Sequence, residues 1–175
     1  QTERLMEVCR MRDTPVIIFV NKMDRDGNYP FDLLDELEKN LSIRVRPLSW
    51  PIHMGSAFKG VYNLYDKSLV AFGPNKKATD EDVVPLEDLS SSYVDEHFNE
   101  KDAAQLRGDV ELIEGVYDAF NREDYLAGKL APVFFGSAVN NFGVKDLLDT
   151  FVDIAPIPRN RTATTREVDV NEDKF

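Results

Sequence analysis

The strongest chemical candidates in this chain are Asn21, Lys22 and Asp24, in the run Asn21-Lys22-Met23-Asp24. An Asp carboxylate offers two acceptor oxygens that match two adjacent donors on guanine, the ring N1–H and the exocyclic amine. Adenine has no such donor pair. Binding it would leave the carboxylate unsatisfied, a mismatch that gives rejection of up to roughly four or five decades. The aliphatic stem of Lys22 can lie across the base while its ammonium stays solvated, and the Asn21 amide can donate and accept at once. A second candidate lies far along the chain at Gly136-Ser137-Ala138, where small residues let a backbone N–H approach the guanine carbonyl oxygen. The alternatives are a turn of Asx residues in the first case and a generic small-residue turn in the second. The expected nucleotide-binding set is Asn21, Lys22, Asp24, Ser137 and Ala138, with no catalytic residue and no metal ligand in the chain.

Such residues need strands to carry them. Thr2 to Met11 reads as the last turns of a helix, with Leu5, Val8, Cys9 and Met11 on roughly one side. Pro15 ends it. Val16 to Val20 is an apolar run without alternation, the signature of a parallel strand covered on both faces, and it delivers Asn21 to its carboxyl end, where open α/β sheets bind ligands. Pro30 then opens a helix whose Leu33, Leu34, Leu37 and Leu41 recur at helical spacing. The pattern returns at the far end, with a strand at Pro132 to Phe135, the Gly136 to Gly143 loop, and a helix from Val144 to Ile154 presenting Leu147, Leu148, Phe151 and Ile154. Two strand-loop-helix units are the repeating element of a doubly wound parallel sheet.

About ninety residues separate these units, far more than a connecting loop. Within them Ile43 to Ile52 alternates loosely, Gly60 to Tyr65 and Leu69 to Phe72 flank a hairpin turn at Asp66-Lys67-Ser68, and Val83-Val84 suggests a short strand. Glu100 to Phe120 has the apolar stripe of a long helix at Ala103, Leu106, Val110, Ile113, Tyr117 and Phe120. The expected division is residues 1–41 and 130–156 as segments of the parent α/β domain, 42–129 as an inserted α+β subdomain, and 157–175 as a linker into a following domain. The start at Gln1 and the abrupt end at Phe175 look like cuts.

The net charge of −11 over 175 residues argues against direct contact with nucleic acid, since phosphates would be repelled. Acidic residues concentrate at 80–124, fifteen against three basic ones, which reads first as a solvated acidic face and second as a surface for a basic protein partner. One cysteine excludes an internal disulfide, and no apolar run approaches the roughly 18 residues of a membrane span. A cytoplasmic location is expected. His53 and His97 are isolated from any cysteine or carboxylate cluster in sequence and give no case for metal.

Phe19-Val20-Asn21-Lys22-Met23-Asp24-Arg25 and Gly136-Ser137-Ala138, separated by an insert, resemble the fourth and fifth motifs of translation GTPases of the elongation factor G group. Within that group Trp50-Pro51-Ile52, the run Phe58 to Tyr65, Pro132 to Ala138, Asn141-Phe142-Gly143-Val144 and the closing Glu172-Asp173-Lys174-Phe175 are similar to release factor three. The resemblance is weakest across Gly73 to Asn99 and at His53, where a small residue is expected. It implies part of a P-loop-type GTPase sheet interrupted by an inserted α+β subdomain. It also implies GTP and GDP as ligands, a ribosome-stimulated GTP hydrolase as the parent, and action at termination, where stop-codon-reading release factors are released from the ribosome. The large-subunit stalk protein is the implied partner of the acidic helix 100–120, and class I release factors are indirect partners. An elongation factor G-type translocase or a ribosomal protection protein is the alternative within the group. An interaction module with a non-functional nucleotide pocket is the alternative outside it. The chain has no Gly-x-x-x-x-Gly-Lys-Ser/Thr, so the phosphate loop, the switch segments and the Mg²⁺ ligands are expected outside it, leaving the fragment alone inactive.

Overall fold

The structure, a computed structural model, describes residues 2–71, 83–158, 160–162 and 164–168. Phe72 and the closing Glu172 to Phe175 run fall outside the described residues. In chain order the elements are α1 (Thr2–Met11), β1 (Ile18–Val20), α2 (Pro30–Leu41), β2 (Arg44–Pro47), β3 (Ser49–Ile52), β4 (Gly60–Asn63), β5 (Ser68–Ala71) and β6 (Val83–Pro85). They continue with α3 (Ser92–His97), α4 (Glu100–Val116), α5 (Arg122–Leu126), β7 (Leu130–Phe135), α6 (Val144–Ile154), β8 (Arg161–Thr162) and β9 (Glu167–Val168).

A parallel sheet carries the two candidate loops, with strand order β1-β7-β2. Ile18, Phe19 and Val20 pair with Val133, Phe134 and Phe135, which aligns the strand ends before Asn21 and Gly136. All six residues of β7 are buried, as a central parallel strand requires. Pro132 is tolerated there because β1 pairs only from Val133 onward, so its missing N–H falls outside that ladder. The second sheet is antiparallel, in the order β3-β4-β5-β6.

The third parallel strand is a departure from the sequence reading, which anticipated two and grouped 43–52 with the insert. Arg44 to Pro47 pairs with Leu130 to Val133 in the same direction. The chain passes from one sheet to the other at Leu48, whose N–H donates to the Val133 carbonyl and whose own carbonyl accepts from Leu64, both at 2.8 Å. A single hydrophobic core therefore runs through both sheets, from Leu34, Val133 and Phe135 to Val61, Tyr62, Val94 and Ile113.

Helix faces differ in two places. In α1 the buried residue is Met6, packed with Leu41, Ile43 and Ala131, while Leu5, Val8 and Met11 are exposed. In α6, Asp146, Thr150 and Ile154 are buried, whereas Leu148 and Phe151 are largely exposed. This helix is rotated toward the β4–β5 turn, where Tyr65 donates its hydroxyl hydrogen to Asp153.

Helix α4 keeps the expected stripe but stops at Val116. The buried Arg46 guanidinium reaches the Ile113 and Tyr117 carbonyls and pairs with Glu114, so the helix end is capped by a cation from β2. Short helices α3 and α5, absent from the sequence reading, begin on Ser91 and Asn121 side-chain caps. Among the described residues no helix is long and apolar enough to cross a membrane.

Candidate functional site

The loops that follow β1 and β7 meet because their parent strands are paired in register. Gly136 N–H donates to the Val20 carbonyl at 3.0 Å, and Met23 N–H donates back to the Gly136 carbonyl at 3.1 Å. Gly136 is also required by the tight return of its own loop. A Cβ there would lie 2.1 Å from the Phe142 carbonyl oxygen, which is backbone and cannot swing away.

Side chains then cross-link the loops. Asn21 Oδ1 accepts from the Lys22 N–H at 2.7 Å and from the Ala138 N–H at 3.0 Å. Ser137 is fully buried, and its hydroxyl donates to Asp24 Oδ1 at 2.6 Å while accepting from Asn140 Nδ2 at 3.0 Å. All five anticipated residues thus lie in one constellation. The Ala138 N–H is engaged by Asn21, so it braces the two loops against each other.

Lys22 adopts a left-handed backbone with φ of 69°. Non-glycine residues pay strain of about 1–3 kcal/mol for such conformations, which persist where the surroundings over-determine them and cluster at ligand sites. The neighbouring Met23 side chain is buried, so the main chain turns at Lys22 with Met23 as an anchor pointing into the core. Asn21 and Lys22 remain exposed and Asp24 half-buried, an arrangement that presents an acceptor, an aliphatic stem and a carboxylate on one rim. A planar base with two adjacent N–H donors fits those groups.

Residues 1–157 match the family model for the elongation factor Tu GTP-binding domain. The chain belongs to this family. A crystal structure of a protein from Thermus thermophilus is similar to this elongation factor Tu-type domain over 89% of the present chain, with a TM-score of 0.57 and 21% sequence identity. That likeness concerns the fold, here a mixed α/β architecture with a three-stranded parallel sheet, a four-stranded antiparallel sheet and the short antiparallel pair β8-β9. The present chain spans 24% of that protein's length.

Members of the family take a guanine nucleotide. Among the described residues no group of three His, Cys, Asp or Glu side chains is placed to hold a metal ion.

Sequence reasoning missed the support behind this elongation factor Tu-type site. Gly55 N–H donates to the Met23 carbonyl at 2.8 Å, and Phe58 packs edge-on against Phe142 with ring centroids 5.5 Å apart. One short segment from the region between the sheets therefore touches both loops. The single sequence signal for it was His53, an unexpected residue at that position. It takes a left-handed backbone with φ of 60°, and its Nε2 sits 2.6 Å from Asp102 Oδ1. His97 instead stacks on Tyr93 and bonds its carbonyl, a local packing role.

Proposed function

We propose that this chain is the guanine-recognition half of a ribosome-dependent GTPase. The observation that carries the reading is the paired cross-link of Asn21 to Ala138 and Ser137 to Asp24, which presents base-reading groups on two loops fixed to adjacent parallel strands. In this role Asp24 accepts from the ring N1–H and the exocyclic amine. Lys22 covers the base plane, and Asn21 holds the two loops together by accepting the Ala138 N–H. Ser137 orients the Asp24 carboxylate. The nucleotide's phosphates and Mg²⁺ belong to residues outside this chain, so the chain alone binds GDP weakly and does not hydrolyse GTP. Most of the charge-assisted contacts a nucleotide makes go to its phosphates.

The test is base preference in the full-length protein. Asp24→Asn exchanges one acceptor for a donor and moves preference from guanine toward xanthine nucleotides in a GDP/XDP competition. An unchanged preference would reduce Asp24 to a turn residue and remove the reading.

The more specific role is that of a termination factor of the release factor three kind, which uses its nucleotide cycle to free stop-codon-reading factors from the ribosome. It is supported by the runs Trp50-Pro51-Ile52, Phe58 to Tyr65 and Asn141 to Val144. Recycling of a class I release factor on stalled termination complexes tests it, and translocation activity instead would assign the protein to the elongation factor G kind. If α4 meets the stalk protein of the large subunit, the contact uses exposed Glu111, Leu112 and Val116, because Asp102, Asp109 and Glu114 bond within the chain.

A further inference from the structure

The segment from His53 to Lys59 joins β3 to β4 and lies between α4 and the two base-reading loops. Its far side is fixed to α4. Asp102, in the first turn of that helix and 5% exposed, bonds His53 Nε2 at one carboxylate oxygen and Lys59 Nζ at the other. Burial opposes its ionisation, yet the bonds from Lys59 and His53 outweigh that and hold the carboxyl below its ordinary range. The two ends of the segment are thus gripped by one buried charge.

Between those ends the backbone is closed by its own bonds, Lys59 N–H to the Ile52 carbonyl at 2.8 Å and Phe58 N–H to the Gly55 carbonyl at 3.2 Å. The near side rests on the site, through Gly55 on the Met23 carbonyl and Phe58 on Phe142. Gly55 packs so closely that a Cβ would come 1.9 Å from Asp26 Oδ1, and its φ of 62° favours glycine independently. Phe142 in turn exchanges backbone bonds with Ser137 in both directions, at 3.0 and 3.1 Å.

We propose that Asp102, with His53 and Lys59, positions the guanine-reading loops from α4 by fixing the 53–59 segment that braces both of them. These are positioning residues and none touches the base. The inference rests on the assignment of 21–24 and 136–138 as the base site, but the mechanical link does not. Because α4 belongs to the inserted region, anything that shifts the first turn of α4 is transmitted to the rim holding Asp24.

Amide hydrogen exchange on this chain, without nucleotide, tests the link directly. Asp102→Asn is expected to speed exchange at Gly55, Met23 and Ala138 about tenfold while leaving Leu69 and Val70 in β5 unchanged. Lys59→Met, at a partly exposed side chain, gives the same pattern at smaller size and serves if Asp102→Asn does not fold. Asp95→Asn, which removes the exposed Arg107 pair elsewhere in the insert, leaves Met23 and Ala138 unaltered. Exchange that rises uniformly across the chain, or that stays constant at Met23 and Ala138, overturns the proposal. In the full-length protein Asp102→Asn is then expected to accelerate GDP dissociation by about threefold to thirtyfold with guanine still preferred over xanthine. Equal affinity for GDP and ADP in the unmodified protein would sink the base-site assignment while leaving the exchange result intact, so the two failures are distinguishable.

Discussion

Asp24 and Ser137 lie 113 positions apart in sequence, and the Ser137 hydroxyl donates to Asp24 Oδ1 at 2.6 Å. The bond spans the end of β1 and the end of β7, so the carboxylate proposed to read the base is aimed by the opposite loop. Hydrogen bonds to charged groups contribute about 1.5–3 kcal/mol, and the half-exposure of Asp24 puts this one at the low end. Ser137→Ala is expected to weaken GDP binding by the full-length protein about tenfold, with little change in melting temperature. Titration calorimetry checks it, and undiminished affinity would show that Asp24 is oriented without Ser137.

Gly136→Ala has a backbone obstacle, since the new Cβ would meet the Phe142 carbonyl oxygen at 2.1 Å. Overpacking of this kind costs about 1–3 kcal/mol or more, and relief requires the Gly136 to Gly143 loop itself to open. The expected result is a lower denaturation midpoint together with loss of Ala138 amide protection. A fully stable Gly136→Ala variant would contradict the close return of the Phe142 backbone onto Gly136.

Arg46 is the buried cation under α4, bonded to the Ile113 and Tyr117 carbonyls and to Glu114. Arg46→Met preserves much of the packing volume but leaves the Tyr117 carbonyl without its Arg46 donor, while the Ile113 carbonyl keeps the Tyr117 N–H and Glu114 is exposed enough to be rehydrated. A loss of about 1–3 kcal/mol is expected, with fraying confined to the last turn of α4. Urea unfolding and amide exchange at Val116 and Tyr117 report the two effects separately.

Asp146 is buried at the start of α6, and burial raises its carboxyl pKa, with Asp66 and Asp149 adding to the rise and the Asn63 amide opposing it. The folded state then holds a proton more tightly than the unfolded chain, so stability falls as pH rises through the raised value. Asp146→Asn removes that loss. It is expected to raise stability at pH 7 by about 0.5–2 kcal/mol and to have little effect near pH 3, where the wild-type carboxyl is protonated in both states. Thermal melts across pH 3 to 8 test the sign.

The two strand-loop-helix units were legible because their information is local. Apolar runs without alternation mark parallel strands, buried throughout in β7 but only half-buried in β1 at the edge of the described sheet, and leucines at helical spacing mark α2. The proximity of the five candidate residues was legible for the same reason, as two short motifs set at the ends of two strands. What sequence did not reveal was long-range pairing. Arg44 to Pro47 carries two arginines and a proline, a poor signature for a sheet strand. It joins β7 because Arg46 satisfies the end of α4 and Arg44 bonds Asp118 and Asp124. The acidic helix read as a solvated face, yet Asp102, Asp109 and Glu114 bond His53, Lys59, Trp50, Tyr29 and Arg46. Periodicity located the apolar stripe of α4 but carries no information about which charges find partners across ninety residues.

The core that runs unbroken from Leu34 and Phe135 to Val61 and Ile113 has an engineering consequence. Splicing Leu41 directly to Leu130 would not yield a minimal nucleotide domain, since it would strip the cover from Trp50's neighbours Phe31 and Phe135 and from the flank of β7 that β2 occupies. The insertion is grafted into its host like a keystone rather than hung on it like a pendant. A single cooperative melting transition, instead of two, is the thermodynamic signature of that graft.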